Sequence, residues 1–162
     1  FMYPTTMQQT IHIRTASPDD FERIVALEKI CFPKELAYTR RQLRHLLMKA
    51  NSTVLVEKTS TVLRGFIIIL YRRGTKVAGV ETINVDPMYR KKGIGQRLLT
   101  AAEERIRKKG MHKIRLEVAI INQAAIMLYE HAGFQKTMLL KKYYNYDHEG
   151  SRDAYRMVKE LE

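Results

Sequence analysis

The feature that most limits the fold is a strand, a basic loop and an amphipathic helix in direct succession, between residues 76 and 108. The strand covers residues 76–85 and ends at Asp86-Pro87, and a second alternating strand follows at residues 112–119. Five apolar residues recur on one face of the helix between them: Ile94, Leu98, Leu99, Ala102 and Ile106. A helix between two strands forms a β-α-β unit, so the sequence predicts an α/β protein built around it.

The segments on either side predict further strands and helices, in the order β-α-α-β-β-β-α-β-α-β-β. The last two strands are expected at residues 134–144 and 154–158, after a helix that Asn122 caps. Residues 10–162 are expected to form a single domain with a mixed sheet. Since Phe1 precedes Met2, residues 1–9 are expected to be a tag-derived or flexible N-terminus.

Composition limits the partners. Lys and Arg total 29 against 17 Asp and Glu, a formal charge of +12, which favours a polyanion such as a ribosome, a nucleic acid or a phosphate-rich cofactor. The one cysteine, Cys31, excludes an internal disulfide and favours a reducing, cytoplasmic compartment. The histidines lack metal-ligand spacing, so no metal is predicted. No apolar run approaches the roughly 20 residues of a membrane span, so no membrane association is expected either.

The loop before the helix gathers positive charge. Arg90, Lys91 and Lys92 precede Gly93-x-Gly95, where the first turn of the helix presents unpaired N–H groups and a partial positive charge. Basic side chains there oppose the helix dipole unless an anion compensates them. The two glycines allow backbone to approach a ligand closely. The loop therefore predicts a diphosphate-binding site.

Two sequence blocks and the tail carry a family resemblance. The first block reads Ile83-Asn84-Val85-Asp86-Pro87-x-Tyr89-Arg90-x-x-Gly93-Ile94-Gly95-x-x-Leu98-Leu99. It resembles the acetyl-CoA motif of the GNAT superfamily of N-acetyltransferases. The second reads Leu116-Glu117-Val118-x-x-x-Asn122-x-x-Ala125-x-x-Leu128-Tyr129-x-x-x-Gly133-Phe134. With the tail motifs Lys142-Tyr143-Tyr144 and Asp153-Ala154-Tyr155-x-Met157, it is similar to the enzymes that acetylate protein N-terminal α-amines, the RimI-like ribosomal-protein-alanine acetyltransferases and the ribosome-associated Ard-type catalytic subunits.

The resemblance implies a GNAT fold, with a mostly antiparallel sheet splayed at the central β-α-β unit. It implies that the cofactor is acetyl-CoA or coenzyme A, with the backbone of Ile83, Asn84 and Val85 along the pantetheine arm. Asn122 is expected to contact the cofactor, and Tyr129 to lie near its sulfur. The diphosphate is expected on seven consecutive residues: Arg90, Lys91, Lys92, Gly93, Ile94, Gly95 and Gln96.

The resemblance also assigns catalytic roles. Glu117 matches the family's general base, and Tyr129 can protonate the departing thiolate. An α-ammonium has a pKa of about 7.7–8.0, so a carboxylate, acting directly or through water, suffices to remove its proton. No covalent enzyme intermediate is required. Glu81, two residues before Ile83 and expected on the same face of its strand, is a competing base.

The acceptor side is expected to use two further segments. Glu35 and Leu36 lie between the first two helices, where the family forms the pocket for the first residue of the substrate. Tyr143 and Tyr144 would bond the peptide backbone from the opposite side. The partners implied are protein N-termini, with ribosome association through the basic surface, as a monomer or a dimer.

Two other functions compete with this hypothesis. A nucleic-acid-binding module would use the charge directly, through a patch of six residues: Arg105, Arg107, Lys108, Lys109, Lys113 and Arg115. No RNA-binding signature or cluster of base-stacking aromatics accompanies it. A GNAT enzyme acting on lysine side chains or small amines is the second alternative, against which Tyr143, Tyr144 and the Asp153-Ala154-Tyr155 segment argue.

Overall fold

The structure, a computed structural model, describes residues 10–162, and the expectation for residues 1–9 lies outside them. The strands are β1 His12–Thr15, β2 Ser52–Lys58, β3 Leu63–Tyr71, β4 Val77–Val85, β5 Lys113–Ala119, β6 Gln135–Leu140 and β7 Ala154–Glu160. The α-helices are α1 Phe21–Cys31, α2 Arg40–Met48, α3 Ile94–Lys108 and α4 Gln123–His131. Short 3-10 turns at Pro18–Asp20 and Pro87–Tyr89 precede α1 and the basic loop.

The seven strands form one sheet in the order β1-β2-β3-β4-β5-β7-β6. Every neighbouring pair is antiparallel except β4 and β5, which run parallel. These two strands are in register only from Val77↔Lys113 to Gly79↔Arg115. Over the rest of β4, the edge that faces β5 has no strand partner among residues 10–162. The order of elements and the splayed, mostly antiparallel sheet are therefore confirmed.

Helices cover both faces of this sheet. Ile67 and Ile69 of β3 pack against α3 and α4, whereas Phe66 and Ile68 pack against α1 and α2. We refer to these as the α3/α4 face and the α1/α2 face. Alternate residues of β3 enter opposite cores, which is why this strand is a continuous apolar run. Each fully buried Phe or Ile contributes on the order of 1.5–3 kcal/mol, so the two cores hold the centre of the sheet firmly.

A β-bulge lies in β4 just beyond Gly79, where β4 and β5 diverge; we call the gap between these two strands the splay. Ile68 pairs with Thr82 and Ile69 pairs with Val80, so Glu81 is an extra residue with no partner in β3. A bulge lets two successive side chains point to the same face of a strand. Glu81 and Thr82 both do so, towards the α1/α2 face.

The bulge corrects one sequence-based expectation. Ile83 packs against the α3/α4 core, whereas the Glu81 carboxylate accepts a hydrogen bond from Tyr38, a residue packed against the α1/α2 core. Glu81 therefore lies on the face opposite Ile83, not on the same face as predicted.

The chain after β6 also differs from the prediction. β6 ends at Leu140, and residues 141–153 form a loop instead of continuing the strand to residue 144. Lys142 adopts a left-handed φ of 53°, and its backbone N–H donates to Asp153 Oδ1 at 2.8 Å. This turn breaks the strand before the tyrosine pair. None of the helices within residues 10–162 has the length and apolar content needed to cross a membrane.

Candidate active site

The basic loop before α3, residues 90–93, is exposed, and two of its residues have a left-handed backbone conformation. We refer to the bend that they form as the concavity. Lys91 has a φ of 63° and Gly93 a φ of 77°, and the side chains of Arg90, Lys91 and Lys92 are exposed. A left-handed conformation at a non-glycine residue costs about 1–2 kcal/mol, so it persists at Lys91 only because the surrounding structure holds the loop in this shape. Alternating left-handed residues before a helix aim successive N–H groups at one point, a geometry that binds anions.

Gly95 has a different role from the one predicted for it. A Cβ at this position would lie 3.1 Å from Leu128 Cδ2, so Gly95 allows α3 to pack closely against α4. The close ligand approach expected of both glycines thus rests on Gly93, whose φ disfavours any side chain. Ile94 is buried and anchors the start of α3, while Gln96 is exposed beside the concavity.

A buried ion network holds the loop from behind. Glu57 is fully buried and accepts two hydrogen bonds from Arg64, at 2.7 and 2.9 Å. Arg97 donates to the same carboxylate at 2.9 Å, and through its other nitrogen to the carbonyl of Lys92 at 2.9 Å. Arg97 thereby links the concavity to the sheet. Sequence analysis missed this network because Arg97 and Glu57 are 40 residues apart, and Arg97 occupies an unspecified position of the motif.

The splayed edge of β4 is ready to pair with an extended ligand. The backbone of Ile83, Asn84 and Val85 lies beyond the last pair with β5, and one edge is open among the described residues. Gly65 on β3 brings the two strands close, since a Cβ there would lie 2.8 Å from the carbonyl oxygen of Asn84. An open strand edge leading to an anion-binding loop suits a long ligand with a diphosphate, so these residues fit coenzyme A.

Glu117 lies on β5 and points to the α1/α2 face. Its Oε1 accepts from Arg156 Nε at 3.2 Å and is 3.5 Å from Arg115 Nε. The carboxylate is mostly buried, with 16% of the side chain exposed. Two guanidinium groups therefore fix its position at the end of the splay.

Glu81 lies in a different environment. Its Oε2 accepts a hydrogen bond from the Tyr38 hydroxyl at 2.8 Å, and its Oε1 is 3.8 Å from where a Cβ would stand on Gly79. Within residues 10–162, no Lys, Arg or His lies within ion-pair distance of the Glu81 carboxylate. Sequence analysis considered Glu81 but missed Tyr38, whose role depends on the path of the loop between α1 and α2.

Three tyrosines complete the site. The Tyr129 hydroxyl is buried, and burial, with a smaller effect of Tyr144, raises its pKa. Burial also raises the pKa of Tyr144 to about 12. For Tyr143, burial and the nearby carboxylates of Glu117 and Glu81 raise the pKa. The structure thus brings Tyr143 and Tyr144 together with Glu117, Glu81 and Tyr129, and all three hydroxyls stay protonated at neutral pH.

The other predicted residues lie at two places, the start of α4 for the cofactor and the turn between α1 and α2 for the acceptor. Asn122 caps α4 by accepting from the N–H of Ala125 at 3.2 Å, and its side chain is exposed at the splay. Leu36 is half-buried in a turn after Pro33, with its N–H donating to the Pro33 carbonyl. Glu35 is exposed in that turn and forms no ion pair within residues 10–162, so the structure gives it no defined partner.

The predicted basic patch is divided. Arg105, Arg107, Lys108 and Lys109 are exposed at the end of α3, far along the helix from the basic loop. Arg115 lies instead beside Glu117 on β5, so it is not part of that surface. Among the described residues, no three His, Cys, Asp or Glu side chains are placed to hold a metal ion together.

Comparison with known proteins identifies the family. The sequence profile of the "Acetyltransferase (GNAT) family" matches residues 21–134, which include the basic loop, Glu81, Glu117 and Tyr129. The chain therefore belongs to the GNAT family of acetyltransferases.

Individual relatives share only a moderate sequence identity with the chain. The chain is 31% identical over 160 residues to an uncharacterized protein of Mycobacterium leprae. The alignment covers 98% of this chain but 43% of that protein. It is 39% identical over 81 residues to the [Ribosomal protein bS18]-alanine N-acetyltransferase of Escherichia coli K12, covering 50% of this chain and 54% of that protein. The chain thus spans about half the length of these curated relatives.

Solved structures share the fold. The ribosomal-protein-S18-alanine N-acetyltransferase of Escherichia coli superposes with a TM-score of 0.84 at 23% identity, over 94% of both chains. Ard1 from Thermoplasma volcanium superposes with a TM-score of 0.79 at 26% identity, over 94% of this chain and 98% of that one. The splayed sheet is therefore the fold of this family.

Proposed function

We propose that this acetyltransferase transfers the acetyl group of acetyl-CoA to the N-terminal α-amine of proteins. The observation that carries the proposal is the convergence of Glu117, Tyr129, Tyr143 and Tyr144 at the open end of the splay. One side of this point leads along β4 to the basic loop, and the other opens between the α1–α2 turn and the 141–153 loop. The 39% identity to an enzyme named for a ribosomal-protein α-amine, over half of this chain, supports the same acceptor.

The residues that would hold acetyl-CoA follow from the geometry. The backbone of Ile83, Asn84 and Val85 offers hydrogen bonds to the pantetheine arm, and the N–H groups of the 90–96 loop offer them to the diphosphate. The exposed cations of Arg90, Lys91 and Lys92 add charge complementarity. Asn122, exposed at the start of α4, is the further side chain proposed to contact the cofactor. When bound, acetyl-CoA supplies an activated thioester that an amine can attack.

Glu117 is the proposed general base. The acceptor α-ammonium must lose a proton before it can react, and a carboxylate held in position by Arg115 and Arg156 accepts it directly or through one water. Because no nucleophilic side chain is needed, the amine attacks directly within a ternary complex. A backbone N–H of β4 is placed to stabilise negative charge on the acetyl oxygen.

Tyr129 is the proposed proton donor. Because its pKa is raised, the hydroxyl is protonated at neutral pH and is available to give its proton to the departing thiolate. On becoming an amide, the acceptor nitrogen loses two protons, and the departing thiolate gains one. Glu117 accepts the first proton and releases it to water, and the second proton, relayed through water, replaces the one that Tyr129 gives to the thiolate. The overall reaction therefore releases one proton and returns both side chains to their starting state.

The acceptor peptide is proposed to lie between Glu35 and Leu36 on one side and Tyr143 and Tyr144 on the other. The tyrosine rings meet edge to face at 5.0 Å, and the Tyr144 N–H and carbonyl are bonded to Arg152, which fixes the loop that presents them. The cationic end of α3 is the proposed contact with a ribosome, through phosphate groups.

A peptide library with varied first two residues tests the function. We expect mass spectrometry to find acetyl on the α-amine after incubation with acetyl-CoA. N-terminally blocked peptides that contain lysine are the matched control. Acetylation of those controls, or of polyamines in place of α-amines, would instead support the lysine or small-amine alternative. Steeply salt-dependent RNA binding without protection of the protein by acetyl-CoA would support the nucleic-acid alternative.

A further inference from the structure

A buried carboxylate fixes the bulge of β4 to helix α1. Glu28 is 1% exposed, and its Oε1 accepts from Thr82 Oγ1 at 3.1 Å and Asn84 Nδ2 at 3.3 Å. Burial raises the pKa of Glu28, while hydrogen bonds from Asn84, Thr82 and the Tyr38 backbone oppose this rise. Glu28 therefore touches both the strand that carries Glu81 and the loop that carries Tyr38.

Tyr38 then fixes one oxygen of Glu81. Its hydroxyl donates to Glu81 Oε2 at 2.8 Å, and its ring packs against the α1/α2 core. Burial, together with the Glu81 and Glu28 carboxylates, raises the pKa of Tyr38, so the hydroxyl acts as a donor and does not ionise. Glu28 anchors both the strand and the backbone of Tyr38, which leaves the Glu81 carboxylate few orientations.

The two carboxylates at the splay differ in what they have left to bind. Glu117 already faces the guanidinium groups of Arg115 and Arg156. Glu81 has a neutral phenol on Oε2, while Oε1 lies over Gly79, which has no side chain, and accepts no hydrogen bond among the described residues. A carboxylate with one oxygen held and the other open is suited to accept a charge-assisted hydrogen bond from a cation.

We propose that Glu81 binds the ammonium group of the acceptor through Oε1, and that Tyr38 is a positioning residue that aims this carboxylate. The inference rests on the proposed function and deepens it. Glu81 recognises the acceptor as a cation, and Glu117 removes the proton. The site selects acceptors with a free α-amine, which bind most tightly when protonated, and excludes already acetylated N-termini.

A ligand-and-residue truncation cycle tests the role of Glu81. The probes are an alanyl peptide and the matching propionyl peptide, which lacks only the ammonium group, both titrated into the CoA-loaded protein by calorimetry. In the wild-type protein we expect the alanyl peptide to bind at least about tenfold more tightly. In Glu81→Gln we expect this preference to fall to about one, through weaker binding of the alanyl peptide alone. Glu117→Gln, the matched control, should keep most of the preference.

Steady-state kinetics test the positioning role of Tyr38. Tyr38→Phe should raise KM for the acceptor peptide by about three- to tenfold, with kcat and the KM for acetyl-CoA unchanged. Tyr71→Phe is the control, because it removes another inward-facing hydroxyl, bonded to Thr53 Oγ1 at 2.9 Å, on the α3/α4 face of the sheet, opposite Glu81. A general loss of stability would change the KM for the acceptor peptide in both variants, whereas a positioning role would change it only in Tyr38→Phe.

Three results would overturn the inference. The first is an unchanged peptide preference in Glu81→Gln, and the second is the same KM for the acceptor peptide in Tyr38→Phe and Tyr71→Phe. The third is a Glu81→Gln variant that loses kcat but binds both peptides normally, which would make Glu81 the base. Wild-type activity on α-amines tests the proposed function separately. If the acceptor is another amine, the same cycle with that amine and its des-amino analogue decides the role of Glu81.

Discussion

Glu81 and Glu117 each lie two residues beyond Gly79 and Arg115, the last pair in register between β4 and β5. The bulge turns Glu81 to the α1/α2 face, and the alternation of β5 turns Glu117 the same way, because Leu116 and its even-numbered neighbours enter the opposite core. Both carboxylates raise the pKa of Tyr143, so all three groups share one environment. The divergence of two strands thus places acid groups beside the gap that it opens.

Glu117→Gln tests the general base. We expect kcat to fall by at least about 100-fold near neutral pH, because a positioned base contributes about 10²- to 10⁴-fold. The loss should shrink as the pH rises past the α-ammonium pKa of about 7.7–8.0, where the acceptor reaches the site already neutral. The measurement is kcat from pH 6 to 9.5 with a peptide acceptor.

Glu117→Asp and thermal unfolding provide the controls for this variant. The aspartate keeps the charge facing Arg115 and Arg156, so it separates loss of charge from loss of reach. A wild-type rate for Glu117→Gln at pH 7 would reject the assignment, and a large loss in Glu81→Gln with normal peptide binding would transfer the role to that residue.

Tyr129→Phe tests the proton donor. The hydroxyl forms no hydrogen bond within residues 10–162, so its removal should shift the unfolding temperature little, while kcat falls by about 10- to 100-fold. Since burial raises the pKa of Tyr129, the wild-type rate should show no decline from ionisation of this group below pH 10. An unchanged kcat in a folded variant would contradict the role.

The sequence predicted the order of elements well because long periodic segments dominate it. The apolar stripe of α3 predicted residues 94–108, the extent observed. The strong signal came from the repeat of buried side chains, which tertiary packing preserves. The basic loop was predicted as a diphosphate site from charge and glycine alone. Lys91 and Gly93 adopt left-handed conformations there, and the binding of a diphosphate stays a prediction.

The acceptor side could not be predicted in the same way. The bulge at Glu81 depends on the register with β3, and nothing in the residues of β4 indicates an extra position. Tyr38 meets Glu81 across 43 residues, and Glu28 meets Asn84 across 56. Polar contacts at such separations carry no local periodicity, so only the folded chain shows them.

Asp20→Asn tests the pH dependence of stability. Burial opposes ionisation of this side chain, but hydrogen bonds from Arg14, the Ser17 N–H and Lys58 outweigh it and lower the pKa of Asp20 to about 2. An acid with a lowered pKa stabilises the fold above its unfolded pKa of about 3.9, and this contribution is lost as the pH falls from about 4 to 2. We therefore expect Asp20→Asn to be less stable than the wild type by about 2 kcal/mol at pH 7 and nearly equal to it at pH 2.

Denaturant unfolding at several pH values measures this difference. Asp19→Asn is the matched control, because Asp19 is the neighbouring carboxylate and is exposed. Surface carboxylates contribute little, so this variant should follow the wild type at each pH. A constant difference between Asp20→Asn and the wild type over the whole range would show that packing, and not ionisation, accounts for the loss.

Arg97→Ala tests whether the ion network shapes the cofactor loop. The Arg97 side chain is 43% exposed, so its ion pair with Glu57 contributes little to stability, and Arg64 still satisfies that carboxylate in the variant. Its removal frees the Lys92 carbonyl and relaxes the left-handed turn, which must then be re-formed on binding. We expect CoA to bind about three- to tenfold more weakly, with little change in the unfolding temperature.

Calorimetric titration with CoA gives this affinity, and Arg107→Ala is the matched control. Arg107 is 44% exposed on the same helix and pairs with Glu103, but lies at the end away from the loop. A purely electrostatic effect would weaken both variants alike and would fade with salt, whereas the loss from a disordered loop should persist at high ionic strength. Equal affinities for Arg97→Ala, Arg107→Ala and the wild type would show that the loop keeps its shape without Arg97, held by Lys91, Gly93 and the start of α3 alone.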